Sequence, residues 1–532
     1  RARRAGRRAW AHAFAQPSRR ARHSLPNLGS AMARARSALG LSLVAHGLAA
    51  VGALELRRGL ASGSAALRGD LAAVGADRPH YWPHARGQAP HYSWTRYPGP
   101  ANLSEASLAW KWSHPEGRYA TFVVGGGLID SDRNIYLATS DGIRKFSPDG
   151  ATLWHYKPPA EVVACPSLMG GALFGNTQDG SVFALSIDTG SVIWSKRHSL
   201  DIGLDEAYVE AYDGVVVTAA ERSTFYGGYG NKRLLGLNAE TGEKLWDFKT
   251  SNTVDNVMPL FPGDGTLVFM DISGGLYRLG LHNGTLLWHT HSPDGDFLSG
   301  STGGANLGPD GSVFTCSNAR GNQGAPDKNG WLRKFRLSDG GLLWQREVEW
   351  GCNIMPAVSP NGSSVVLGSG GNSGAPAMLG FWDQKGLAEL FEEHNQVLIW
   401  GFAERLYRQL PFLKGRIMSF DGQNGTLQWQ QESVAFGRLA AMGDQEGIFE
   451  RKMRNGRLLC LPPHWSAPTF DKDGQVYVGR LDGTLYRYHL DNRSQVVKEA
   501  YETGTAPHLP GASFAPGMMV YADCDSLYVF RT

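Results

Sequence analysis

The chain has 532 residues, 42% of them hydrophobic and 11% aromatic, with 19% charged and a formal net charge of +3. That is enough apolar material for a sizeable core, and it excludes a disordered chain. Much of the basic excess lies in the opening stretch that begins "RARRAGRRAW", so the body carries no nucleic-acid footprint and no nucleic-acid partner is expected.

Residues 1–94 read as a leader, signal-like or targeting segment with a linker. Within them, residues 32–56 begin with Met32 and two arginines, continue through an apolar run and end in small residues, which is the pattern of a secretory signal or signal anchor. A secretory or extracellular destination is the expectation. An Arg-rich organelle presequence is the alternative, and a membrane is a partner only if the apolar run 38–56 is retained. In "HYWPH", Pro83 prevents the helix that would put His80 and His84 on one face. Five glycosylation sequons begin at Asn102, Asn283, Asn361, Asn424 and Asn492, and two of them, at Asn283 and Asn424, coincide with Asn-Gly hairpin turns.

From residue 95 onward the chain repeats. "DGATLW", "DTGSVIW", "ETGEKLW", "NGTLLW", "DGGLLW" and "NGTLQW" end at Trp154, Trp194, Trp246, Trp288, Trp344 and Trp429. Each closes a unit of apolar strands separated by Gly-containing turns, as in "PSLMGGALFGNTQDGSVFALSIDTGSVIW". One such meander cannot bury both of its faces, so units must stack, and the period predicts an all-β propeller of four-stranded antiparallel blades over residues 95–532. The tryptophans are assigned to packing between blades. Gly190, Gly242, Gly284, Gly340 and Gly425, each four residues before a tryptophan, supply a positive φ and room for the ring. A seventh unit, "PTFDKDGQVYVGRLDGTLYRYHLDNRSQVV", has the strands but no tryptophan. The eighth is split, the C-terminal "ASFAPGMMVYADCDSLYVFRT" giving three strands and "SLAWKWSHP" the fourth, so that closure removes free edges. Eight blades is the count and seven the alternative. In blade 6, residues 378–412 carry leucines and phenylalanines at helical spacing and predict an amphipathic helix whose stripe packs on the propeller.

The spelling "ALSIDTGSVIW" and "GLNAETGEKLW" resembles the tryptophan-docking motif of the quinoprotein family, the PQQ-like propeller repeats, over about residues 95–532; "HYSWTRYPGP" and "SLAWKW" echo its opening. For the enzyme branch, the resemblance implies PQQ held by Ca²⁺ with an Asp as general base. Oxygen donors for such a site are sought where strand entries converge on the channel, at Asp205, Glu206, Asp255, Asn256 and Asn353, with Asn306, Cys352 and His464 nearby in the same kind of position. Polar residues at strand starts equally serve any propeller by bonding channel water or backbone. The sequence departs from the enzyme pattern in having no vicinal cysteine pair, its lone "WD" at Trp382–Asp383 inside the helical insertion, and no CxxCH for haem.

Other groups carry less. Five scattered cysteines imply neither a zinc site nor a dense disulfide framework, while one or two bridges are compatible. His289 and His291 share a strand face, "DKDG" at 471–474 reads as a hairpin turn, and the Gly-rich "SGGNSGAP" and "YGGYGN" lack the lysine and helix of a phosphate loop. No catalytic or metal-ligating residue is assigned. The expected function is a non-catalytic propeller presenting its rim or channel to a protein or saccharide partner; the alternative is a PQQ- and Ca-dependent alcohol or sugar dehydrogenase.

Overall fold

A computed structural model describes residues 78–532 apart from 201–207, 220–230, 293–294, 296–300, 320–328, 371–413, 439, 455–459, 461 and 491–494. Eight antiparallel sheets follow one another along the chain, each a meander of neighbouring strands. Blades 1 to 7 span residues 128–156, 167–197, 210–249, 260–290, 305–348, 357–432 and 469–502. Blade 4 departs slightly. Its innermost strand shrinks to the isolated bridge Leu260–Val268, because Pro259 and Pro262 on either side remove ladder donors.

Blade 8 is the split one. Ser513–Ala515, Met518–Ala522 and Ser526–Arg531 supply three strands, and Leu108–Ser113 from the front of the chain pairs antiparallel with Ser526–Arg531 as the outer strand. Eight blades, not seven, complete the ring.

The tryptophan motif works through a repeated distortion. In each blade that carries it, the ladder between third and fourth strands slips by one residue next to the tryptophan, as between Ala184↔Trp194 and Leu185↔Val192. Blade 7, which has no tryptophan, has an unbroken register from Thr484↔Glu502 to Leu490↔Val496. A bulge of this kind turns a side chain away from its strand's plane. Here the indole crosses to the next blade, where its N–H bonds a carbonyl ahead of that blade's motif turn: Trp154 Nε1 to Ile187 O at 3.1 Å, Trp194 to Ala239 O at 2.8 Å, Trp246 to Leu281 O at 2.7 Å and Trp288 to Leu337 O at 2.8 Å.

The glycines serve the neighbour's ring, which corrects the expectation that each makes room for its own. A Cβ on Gly190, at φ +72°, would lie 2.8 Å from the Trp154 ring; on Gly242, at φ +70°, it would lie 2.6 Å from Trp194. Gly284 meets Trp246, Gly340 meets Trp288 and Gly425 meets Trp344 in the same way. The series also includes a tryptophan not assigned from sequence. Trp110, on the outer strand of blade 8, lies against Gly150 and donates to Pro148 O at 2.8 Å, so the docking chain crosses the closure point. Trp429 ends the run by stacking on Tyr488, with ring centroids 6.4 Å apart.

Residues 80–95, upstream of the boundary placed at 95, lie along the inner strands. Trp82 exchanges backbone hydrogen bonds with Ile129 in blade 1, Pro83 O accepts from Leu168 N in blade 2, and His84 Nδ1 sits 2.5 Å from Glu210 Oε2 in blade 3. Arg86 donates to Met258 O at 2.8 Å on the link into blade 4 and to Ala305 O in blade 5, and the Tyr92 hydroxyl accepts the Phe261 amide of blade 4 at 3.3 Å. The chain then turns through the short hairpin Gly87–Gln88 and His91–Tyr92, and returns to pair Ser93 and Thr95 with Phe470 of blade 7. Six blades thus share contacts with one segment. His80 and His84 go to different blades, His80 Nε2 lying 2.8 Å from Gly170 O.

Two disulfides, Cys316–Cys352 and Cys460–Cys524, have Cα separations of 5.7 and 6.1 Å, and Cys165 is free and buried. The helical insertion 378–412 lies outside the described residues. A ten-residue helix not foreseen from sequence, Asp444–Met453, sits on the connection between blades 6 and 7. No helix among the described residues is long and apolar enough to cross a membrane.

Candidate functional site at the entry face

Antiparallel meanders divide the ring's connections between two faces. Turns joining first to second and third to fourth strands share one end, the turn face; second-to-third turns and the links between blades share the other, the entry face. Every turn-face connection has five residues or fewer, and seven of the third-to-fourth turns have five, as at 187–191 and 239–243. All longer connections are on the entry face, up to the 44 residues of 371–414. Long loops on a rigid scaffold are where binding residues concentrate, which makes the entry face the candidate.

The described channel candidates fall on the links that enter this face. Asp255 and Asn256 are buried on the link into blade 4, Asn256 at φ +47° in a left-handed conformation that Asn tolerates. Asn353, on the link into blade 6, accepts from Asn318 Nδ2 at 2.6 Å, and Asn318 Oδ1 accepts the Cys352 amide at 2.7 Å. This network fixes the Cys316–Cys352 staple and engages the Asn353 oxygen that a cation would need. Asn306 is likewise used internally, its Nδ2 donating to Pro356 O at 2.9 Å. Buried His464 fits against Gly370 and Gly415, where a Cβ would reach its ring at 2.4 and 2.3 Å. Asp205 and Glu206 lie outside the described residues. Among the described residues no three His, Cys, Asp or Glu side chains are grouped to hold a metal ion. His289 and His291 meet at a tilt with ring centroids 4.3 Å apart, and His289 stacks on the Tyr277 ring at 3.9 Å.

At the inner ring, Ala85 from the N-terminal segment joins Cys165, Tyr208, Met258, Met355, Ala467 and Leu509 in one continuous buried cluster. Tyr208 and His508, from the links into blades 3 and 8, meet through a 3.0 Å hydrogen bond. Close glycine approaches lock the strand entries together: a Cβ on Gly125 would strike Cys165 at 2.5 Å, and one on Gly511 would strike Ala467 O at 2.1 Å.

Two charged clusters lie on this face. In blade 8, Asp525 pairs with Arg451 at 2.9 Å and Arg118 at 3.6 Å, while Arg451 also meets Asp444 at 3.2 Å and lies over the Phe122 ring at 3.9 Å. The Asp444 carboxylate accepts the Cys460 amide at 2.6 Å, so the helix Asp444–Met453, the Cys460–Cys524 bridge and the blade 8 turn form one unit. In blade 1, Asp141 binds Arg144 at 2.6 Å, with His114 and His155 at 3.4 and 3.8 Å. Burial acts to raise the Asp141 carboxyl, yet the hydrogen bonds and charge of Arg144 hold it well below the usual range. Burial, aided by Arg144, pushes His155 down to about 4.

Asp523 gives this face a pH signature. It is fully buried, its Oδ1 accepting the amides of Asp525 and Ser526 at 2.8 and 2.7 Å and its Oδ2 the Tyr528 hydroxyl at 3.1 Å. Burial, then the charge of Asp525, raises its carboxyl well above the ordinary range. A raised acid holds its proton more tightly when folded, so the stability it contributes is present in acid and is lost as pH climbs through the raised value. Asp523→Asn should therefore lose stability relative to the parent at mildly acidic pH and narrow that deficit toward pH 8, measured by denaturant unfolding across the range. A constant difference would refute the assignment.

An aspartate recipe recurs structurally at Asp130, Asp271 and Asp471. Each accepts the amides two and four residues on and, through its other oxygen, the hydroxyl of a tyrosine six residues on, Tyr136 at 2.8 Å, Tyr277 at 3.0 Å and Tyr477 at 3.3 Å. The "DKDG" turn is one of them, a hairpin as expected.

Comparison with known proteins agrees with this architecture. The family described as outer membrane protein assembly factor BamB matches residues 101–222 and 209–369, together half of the chain. The chain belongs to this family of PQQ-like repeat propellers. The quinoprotein alcohol dehydrogenase PedH of Pseudomonas putida is 30% identical over 193 residues, 33% of this chain and 30% of that protein. BamB of Bordetella pertussis is 31% identical over 118 residues, 22% of this chain and 27% of that protein. The chain thus spans less than a third of the length of these curated relatives. The crystal structure of quinohemoprotein alcohol dehydrogenase from Comamonas testosteroni has a TM-score of 0.54 at 12% identity, covering 87% of this chain and 84% of that one, a likeness of fold alone.

Proposed function

We propose that this protein is a non-catalytic, exported propeller that offers its entry face to a protein or saccharide partner. The observation carrying the proposal is the inner ring, occupied by the chain's own residues 80–95 and by the apolar cluster around Tyr208, Met258 and Met355. A flat quinone with its cation requires free oxygens converging at that position. Of the described candidates, Asn353 already holds Asn318 Nδ2 through its oxygen, a use internal to the fold. Two disulfides favour an oxidising compartment and hence export.

The competing dehydrogenase reading draws on the likeness to PedH. Titration calorimetry of the purified chain with PQQ plus Ca²⁺, paired with a dye-linked alcohol oxidation assay, separates the two. No binding heat and no dye reduction are expected. Micromolar or tighter binding with alcohol-dependent turnover would overturn the proposal.

A further inference from the structure

The four described sequons share one face. Asn283 and Asn424 occupy third-to-fourth turns, Asn361 a first-to-second turn, and Asn102 the approach to the outer strand of blade 8, beside the end of Ser526–Arg531. All are turn-face positions, and all four asparagines are exposed. Asn492, the fifth, lies outside the described residues.

Their local geometry is also shared. Each Oδ1 is held by the residue two positions on: Asn283 by the Thr285 amide at 3.0 Å, Asn424 by the Thr426 amide at 2.8 Å, Asn361 by the Ser363 hydroxyl at 2.7 Å and Asn102 by the Ser104 hydroxyl. No Nδ2 of the four hydrogen-bonds to a described residue. The acceptor oxygen is thus anchored and the nitrogen faces outward, with turns of five residues or fewer around it and no long loop to cover it.

We propose that Asn102, Asn283, Asn361 and Asn424 carry N-linked oligosaccharides, which cover the turn face and leave the entry face bare. Nδ2 attacks the anomeric carbon of a saccharide carried on a lipid diphosphate. The C–N bond forms, the bond from that carbon to the diphosphate oxygen breaks, the lipid diphosphate leaves with the electron pair, and the displaced amide proton passes to a base; nothing is oxidised or reduced. The inference rests on the exported reading above, and the test keeps the two apart.

Full-length protein purified from its native cells is digested with peptide N-glycosidase in ¹⁸O water and mapped by mass spectrometry, with free thiols counted on the same sample. Heavy-oxygen aspartate at two or more of the four positions, with no glycan elsewhere among the described residues, is the expected result. Bare asparagines at three or four positions, in protein whose Cys316–Cys352 and Cys460–Cys524 bridges are formed, would overturn the inference alone. Reduced cysteines would overturn the exported reading and this inference with it.

Discussion

A chain truncated to residues 96–532 is expected to unfold at least about 10 °C below one that starts at residue 78, where the described residues begin. The missing segment places Trp82, His84, Arg86 and Tyr92 in buried positions, at 2%, 3%, 3% and 1% exposure. Losing one large aromatic from such a site costs about 3–5 kcal/mol, and the truncation removes the two fully buried aromatics Trp82 and Tyr92 together with backbone pairing to Ile129 and Phe470. Should the truncated chain fail to fold, point variants carry the same test. Trp82→Ala should cost about 3–5 kcal/mol in chemical denaturation. Arg86→Met should cost about 2–4 kcal/mol by leaving the carbonyls of Met258 and Ala305 without their donor. Variants within about 1 kcal/mol of the parent would show that the segment is a passive linker.

The second large effect belongs to the docking pairs. Trp246→Ala empties a site only 7% exposed and breaks the bond to Leu281 O, for about 3–5 kcal/mol. Gly242→Ala should cost more than about 2 kcal/mol, because a Cβ there is strained by φ +70° and strikes the Trp194 ring. At Gly214, with φ +77° and nothing within 4 Å, only the backbone strain of about 1 kcal/mol remains. A double-mutant cycle separates the two causes. Trp194→Ala combined with Gly242→Ala should cost clearly less than the sum of the single changes, by roughly 1 kcal/mol or more. Strict additivity would mean that glycine and neighbouring indole do not meet.

What could be seen in the sequence was local in the chain. The motif ending at Trp194 or Trp246 is written in seven consecutive residues, so turn, bulge and indole travel together and the blades can be counted. The split eighth blade was also legible, because "SLAWKW" is a strand with no neighbours of its own. The partner of each docking glycine was not. Gly242 and Trp194 are 48 residues apart, and only the ring brings them together. Trp110 carries no such signal in sequence, because no Gly-containing turn precedes it, although its bulge against Val529 follows the same rule.

The N-terminal segment was illegible for a related reason. Its contacts are with Glu210, Met258, Ala305 and Phe470, up to 377 positions away, and "HYWPHARGQAPHY" has neither alternation nor helical period to announce them. The helix Asp444–Met453 has too few apolar residues for a stripe and is held by the buried Arg451 instead. The aspartate–tyrosine spacing at 130–136, 271–277 and 471–477 was available in the sequence, and its repetition is the signal that could have identified it. The channel candidates were plausible as oxygen donors, but spacing says nothing about whether an oxygen such as that of Asn353 is already engaged.

Hydrogen exchange on the intact protein tests the occupied ring most directly. The amides of Trp82, Ser93 and Thr95 bond to Ile129 O, Arg86 O and Phe470 O at 2.9, 2.7 and 2.9 Å, so they should exchange only with global unfolding, as slowly as the amides of Val268 and Leu260 in blade 4. Exchange of these three within seconds, while the blade amides stay protected, would mean that the ring stands open at its centre and that the assignment of its entry face as the binding surface has lost its footing.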